Sequence, residues 1–208
     1  MCAIFGFTSP SLKKEQVLPY FEKTKSRGPD DTRLEPAGSG MLGFHRLAIM
    51  GLHPEGMQPF HRGGDMAVCN GELYGFRPVK KALEAKGYVF ASDSDCEIIL
   101  PLWQEYGTEM FAGLDAEFAM IIYDSASDSL VAARDPIGIR PLFYGYLADG
   151  SIIFASEAKN LVGLCAHVFP FPPGHYYKDG KFVRYTDLTT ATRYSSDDLD
   201  TVTKKIRE

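Results

Sequence analysis

The residues able to do chemistry in this chain are few and far apart. Cys2 sits in Met1-Cys2-Ala3-Ile4-Phe5-Gly6, an apolar run that reads as a strand where most chains begin with a frayed polar tail. Methionine before a small residue is normally removable. Its removal would leave a thiol and a free α-amino group on the same few atoms of Cys2. Their reference pKa values, about 8.5 and about 7.7–8.0, both lie near neutrality. The amine can then take the thiol proton directly or through one water. On these six residues alone the plainer reading holds, a small buried hydrophobe on a terminal strand. Asn70-Gly71 follows the strand-like Ala67-Val68-Cys69. Alone it reads as a type I′ hairpin turn. It could also form an oxyanion hole, with a side-chain amide and a following N–H aimed at one developing charge. Arg46 lies in an otherwise apolar strand and needs a partner: an acid in a structural ion pair, or a ligand carboxylate held by its two-pronged guanidinium. Glu72 and Asp95 could receive an ammonium, although Asp95 could equally cap its own helix. Side by side, these residues describe one ligand with a carboxylate, an ammonium and an attackable carbonyl. A free α-amino acid with a side-chain amide carries all three.

Strands and helices must bring these positions together. Met41 to Ile49 and Met66 to Tyr74 read as strands, separated by a Gly/Pro/His-rich loop from Gly51 to Gly64. Lys13 to Lys25 predicts a helix with Val17, Leu18 and Phe21 on one face, kinked or late-starting because of Pro19. Ser26 to Asp31 is a loop by composition. Pro78 and Gly87 bracket a short helix with Val79 and Leu83 inward. Ser94-Asp95-Cys96-Glu97 has capping-box spacing and predicts a helix running to Gly107, bent at Pro101. From Glu117 onward come three hairpins: Phe118–Tyr123 with Leu130–Ala133, Leu142–Tyr146 with Ile152–Ala155, and His175–Tyr177 with Phe182–Tyr185. The fold class is α+β, dominated by antiparallel sheet. Residues 187–198 read as a polar linker. Leu199, Val202 and Ile206 then fall at helical spacing, a stripe expected to continue into further chain.

Composition narrows the class. The chain has 208 residues, 45% of them hydrophobic, with a net charge of −5 and no basic block. That argues against nucleic acid or an anionic membrane as partner. No apolar stretch reaches the ~18–20 residues of a membrane span, and the first residues lack the pattern of a secretory signal, so none is expected. Cys2, Cys69, Cys96 and Cys165 are widely spaced, and the five histidines show no metal spacing. Disulfides and a structural metal are not expected, and a reducing cytoplasm fits.

These residues resemble the class II glutamine amidotransferases, whose nucleophile is an N-terminal cysteine. Within that family they resemble the glutaminase domain of asparagine synthetase. The stretches that carry the resemblance include Met1 to Gly6, Arg27-Gly28-Pro29-Asp30, Arg46-Leu47-Ala48-Ile49, Asn70-Gly71-Glu72-Leu73-Tyr74, Ser94 to Glu97, Arg134 to Leu142, Phe154 to Lys159 and Phe171 to Tyr176. The resemblance implies a four-layer α/β/β/α N-terminal-nucleophile sandwich over residues 1–186. Residues 187–208 would lead towards a synthetase domain in cis or in trans. It implies Cys2 as nucleophile with its own amine as base, and Asn70 with Gly71 as oxyanion hole. Arg46, Leu47, Ile49, Met50, Asn70, Gly71, Glu72 and Asp95 would bind L-glutamine. The sequence departs from the family pattern at Ala3, Ser26, Gly51 and Gly75. Nothing matches the Ser-Gly-Gly-x-Asp-Ser pyrophosphate loop, so ATP and magnesium are expected only in the partner domain and no cofactor here. A homodimer is left open. Two other classes remain: a hydrolase of another amide on the same fold, and a non-catalytic regulatory domain. The mechanism requires a mature chain that begins at Cys2. Intact mass of protein from its own host is expected to lack the methionine; active protein that retains it would contradict the amine's role.

Overall fold

The computed structural model describes residues 1–190 and 194–207. Among these, the apolar runs build twelve strands: β1 (Ala3–Thr8), β2 (Asp31–Ala37), β3 (Gly40–Arg46), β4 (Phe60–Arg62), β5 (Asp65–Leu73), β6 (Ala116–Asp124), β7 (Ser129–Arg134), β8 (Phe143–Tyr146), β9 (Ile152–Ala155), β10 (Val168–Pro170), β11 (His175–Lys178) and β12 (Lys181–Arg184). The helices are α1 (Lys14–Phe21), α2 (Phe76–Ala85), α3 (Ile99–Tyr106), α4 (Met110–Gly113) and α5 (Leu199–Arg207). The strands form two six-stranded sheets, in the orders β10-β8-β9-β1-β3-β2 and β12-β11-β7-β6-β5-β4. All paired strands are antiparallel.

Side-chain alternation sorts the core into three apolar layers. Ile4 of β1, Leu42 and Phe44 of β3, Val68 of β5 and Ile121 of β6 fill the space between the sheets. Phe5 and Phe7, on the other face of β1, pack with Val17 and Phe21 of α1. Cys69 and Leu73, on the other face of β5, pack with Leu83 of α2, Ile99 and Trp103 of α3 and Phe111 of α4. The result is helix, sheet, sheet, helix, the four-layer α+β sandwich that the resemblance implies. Even-numbered residues of β1 and β5 face each other between the sheets, so Cys2 and Asn70 point towards the same gap. Among the described residues no helix is long and apolar enough to cross a membrane.

Several local expectations are corrected. Asn70-Gly71 is no turn; it lies inside β5, opposite Ala119 and Phe118 of β6. The long β6 partner overrides the local Asn-Gly preference. The strand expected over Met41–Ile49 ends at Arg46, and the chain then leaves the sheet. Arg27 lies in a 3₁₀ turn (Glu22–Arg27), not a loop. The first helix passes Pro19 and tightens into that turn after Phe21, with Leu18 facing outward. The capping box at Ser94 does not form. Glu97 instead accepts from the backbone N–H of Ala91 and Ser92 and from the Ser92 hydroxyl. Pro101 sits in the first turn of α3, where its missing N–H costs nothing. Strands β2, β4 and β10 were not expected. β2 carries Pro36, which an edge strand tolerates. The linker reading of 187–198 lies partly outside the described residues, as does Glu208. Helix α5 carries the expected stripe, with Leu199 and Ile206 exposed.

His45 ties the strands near the site to α1. It is fully buried and stacked on Phe21, ring centroids 3.9 Å apart. Its Nε2–H donates to the Phe21 carbonyl (3.1 Å), so Nδ1 accepts from the Thr32 hydroxyl (2.9 Å). Burial holds its pKa below the usual value. An unfolded chain therefore takes up a proton at this position as pH falls below about 6.5, while the folded chain resists. Stability should fall as pH drops from about 7 towards 5.5. In His45→Phe, about 1–3 kcal/mol is lost through the orphaned partners, and that decline should flatten. A parallel decline in thermal-unfolding scans of the two proteins would contradict this.

Candidate active site

The start of β1 is fixed from three directions. Arg27 Nε donates to the Cys2 carbonyl (3.0 Å), and its Nη1 pairs with Glu157 (2.8 Å). Ser156, fully buried, accepts from the Ile4 N–H (2.8 Å) and donates its own N–H to the Ile4 carbonyl (3.0 Å). Beyond β3, Leu47 N–H donates to Cys2 Sγ (3.3 Å), and the thiol points back at the Leu47 carbonyl (3.5 Å). The segment holding that sulfur is itself pinned. Asp30 accepts from Ala48 N–H (2.8 Å), and its own N–H donates to the Arg46 carbonyl (3.0 Å). A Cβ on Gly28 would strike the His45 carbonyl, so only glycine lets this turn lie against β3. The Arg27-Gly28-Pro29-Asp30 stretch is thus a brace for Cys2 and for the loop facing it. Burial pushes the Cys2 thiol up, opposed by the Leu47 hydrogen bond, the chain's terminal charge and Arg46.

Across the gap, β5 supplies donors. Strand β4 covers its outer edge only as far as Ala67. Next, the Gln58 side chain takes the place of a strand: Oε1 accepts from Cys69 N–H (2.6 Å), and Nε2 donates to the Cys69 carbonyl (3.1 Å). Four residues further, Leu73 N–H donates to Asp95 Oδ2 (2.7 Å). Alternation along an antiparallel strand turns the Gly71 N–H to this same edge, between the two side-chain plugs. Beside it, Asn70 is buried with its Nδ2 lacking any partner. A buried amide without a partner is costly and uncommon. Here it lines an open cleft.

That cleft is lined by Cys2, Arg46, Leu47, Ile49, Met50, Asn70, Gly71, Glu72 and Asp95, with Arg140 and others. Every residue singled out from the sequence is therefore in one place. Arg46 is not in an ion pair: among the described residues its guanidinium meets no carboxylate. Nη1 and Nη2 both donate to the His53 carbonyl (3.3 Å each), and Nη2 also reaches the Gly51 carbonyl. Of its five N–H bonds, two remain for a ligand. Asp95 does not cap its own helix; it secures the end of β5. Burial, then Asp95, pushes Glu72 up, with Arg140 opposing. Cys69 and Cys96 line the same cleft. A hydrogen bond donated to Cys69 by the Cys96 thiol, then burial, holds Cys96 well above the usual range, which suits a structural rather than a reactive thiol.

Some contributors carried no assigned role in the sequence reading. Arg27 and Asp30 were matched as a motif. Gln58 lies in a loop with no periodic signal. Asp135 is buried and accepts four backbone N–H bonds, from Ile137, Gly138, Ile139 and Arg140, fixing the turn that presents Arg140. Among the described residues no cluster of His, Cys, Asp and Glu is arranged to hold a metal.

The backbone is similar to that of a glutamine phosphoribosylpyrophosphate amidotransferase from B. subtilis complexed with ADP and GMP. The TM-score is 0.73 at 21% identity, covering 89% of this chain and 49% of that one. That likeness concerns the fold, the N-terminal-nucleophile sandwich. The family model for a glutamine amidotransferase domain matches residues 1–176, and the chain belongs to that family. It is 37% identical over 194 residues to a probable glutamine-hydrolysing asparagine synthetase of Dictyostelium discoideum, and 38% identical over 188 residues to the asparagine synthetase of Sandersonia aurantiaca. These matches cover 89% and 88% of this chain but 35% of each relative, so the chain spans about a third of their length.

Gly71 has no room to change. A Cβ there would lie 2.6 Å from the Glu117 carbonyl and 2.9 Å from Phe118 Cβ. Gly71→Ala should destabilise the fold by about 1–3 kcal/mol through overpacking. Denaturant unfolding at parental stability would show the strand edge to be looser than this.

Proposed function

We propose that this domain hydrolyses the side-chain amide of L-glutamine through a thioester on Cys2, and that the ammonia serves amide synthesis by a synthetase domain in cis or in trans. The observation that carries this reading is the pair of donors on β5: the unpartnered Asn70 amide and the edge-facing Gly71 N–H, in one cleft with Cys2. Once Met1 is removed, the α-amine accepts the thiol proton as Sγ attacks the amide carbon. The carbonyl oxygen becomes an oxyanion between Asn70 Nδ2 and Gly71 N–H. Ammonia leaves with the proton from the amine. Water then attacks the thioester, releasing glutamate and restoring the thiol. Arg46 takes the substrate α-carboxylate with its remaining N–H bonds, and Glu72 and Asp95 take the α-ammonium. Leu47, Ile49 and Met50 form the wall. The glutamine-hydrolysing names of the relatives and their synthetase-sized remainder support the same reading. We place the protein in the cytoplasm, consistent with four free cysteines. ATP and magnesium belong, in this reading, to the partner domain.

Glutamate release tests the proposal. Cys2→Ala should abolish it. Asn70→Ala should lower kcat by about 10²–10³-fold, the usual cost of one oxyanion donor, with a smaller change in KM. Undiminished release by Cys2→Ala would refute the reading. The 208-residue chain should make no asparagine from ATP and aspartate.

A further inference from the structure

One end of the cleft concentrates negative charge. Glu72 of β5 lies directly opposite Glu117 of β6 in the register of the sheet. Residues so paired share a face with Cβ atoms about 4.5–5.5 Å apart, where like charges oppose each other. Asp95 adds a third carboxylate from the segment before α3. Burial, then the charges of Glu117 and Glu72, push up the phenol of Tyr74, just past β5. Arg46 and Cys2 line the rest of the cleft. Arg140 is the cation that meets this group: its Nη2 lies 2.5 Å from Glu117 Oε1, and both side chains are mostly buried. Its backbone is held on both sides. The N–H donates to Asp135 Oδ2 (3.0 Å), and the carbonyl accepts from Arg134 Nε (2.7 Å). Its own Nε is buried without a partner.

We propose that Arg140 is a positioning residue that sets recognition of the ligand's ammonium: by pairing with Glu117, it leaves the opposite carboxylate, Glu72, charged and unpaired to receive that ammonium. The inference rests on the glutaminase reading above. Without Arg140, Glu117 faces Glu72 uncompensated, and Glu72, already pushed up by burial and Asp95, holds its proton to still higher pH. The ammonium then meets a protonated carboxyl at the acidic end of the range. At the alkaline end Glu72 is ionised with or without Arg140, so the defect closes.

The test is steady-state glutamate release by Arg140→Met, Glu117→Gln and the double variant from about pH 6 to 8. Arg140→Met should raise KM for glutamine about tenfold near pH 6, the equivalent of one unit of pKa. Near pH 8 it should lie within about twofold of the parent, and kcat should change less than KM throughout. The double variant should bring KM near pH 6 back to within about threefold of the parent, because the charge that needed neutralising is gone. Arg140→Lys, which keeps a cation, should resemble the parent and shows whether the fold tolerates loss of the guanidinium. A KM unchanged at every pH, a loss independent of pH, a loss confined to kcat, or a double variant no better than Arg140→Met would each overturn the proposal. Calorimetric titration of L-glutamine into the same variants on a Cys2→Ala background separates the two readings. If the parent background binds glutamine and Arg140→Met binds it equally well near pH 6, only the role of Arg140 falls. If the parent background binds none, the glutaminase reading falls with it.

Discussion

The site depends on a gap in a hydrogen-bond ladder. A β-strand edge within a folded domain normally has its N–H groups paired or covered. Along the outer edge of β5, strand β4, the Gln58 side chain and the Asp95 carboxylate take successive positions, and the run is interrupted at Gly71. Neither plug is a backbone strand, so each can end where a strand could not. The open donor lies beside an amide that is buried and unpartnered. Both are preorganised for negative charge before any ligand arrives, and preorganisation is what makes such donors effective.

The sandwich sets that local gap in one cleft with Cys2. Because even-numbered residues of β1 and β5 face the same inter-sheet space, a sulfur on one sheet and an amide on the other meet without either lying on a long loop. Sites carried on strands hold their geometry better than sites on loops. The parts that do lie on irregular chain are tied back to the sheets. Arg46 holds the carbonyls of Gly51 and His53, Asp30 holds Ala48, and Asp135 gathers four N–H groups to aim Arg140. The carboxylates gather at one end of the cleft. Arg46 contributes a cation to the same cleft, which therefore carries groups of both signs, as a zwitterion requires.

Much of this was legible in the sequence, for identifiable reasons. The hairpins after Glu117 were readable because short turns join neighbouring strands. The candidate residues were readable because each is chemically out of place in its segment: Arg46 in an apolar strand, and Cys2 where a polar tail is usual. What stayed hidden depends on partners distant in the chain. Asn70-Gly71 has the local look of a turn, and only pairing with β6 keeps it extended. Asp95 has the look of a helix cap, and its actual partner is 22 residues away at Leu73. Gln58 lies in a loop with no periodicity, and β2 contains a proline that only an edge position excuses. Cys69 and Cys96 are far from Cys2 in sequence, yet all three line one cleft.

The central claim is that the sulfur of Cys2, and no other group, carries the acyl intermediate. It is tested most directly by acid-quenching the processed enzyme during glutamine turnover and mapping the covalent adduct by peptide mass. The account predicts a glutamyl group on the terminal cysteine, labile to base as a thioester. An adduct on Cys69 or Cys96, or sustained release of glutamate with no adduct on Cys2 under single-turnover quench, would contradict it.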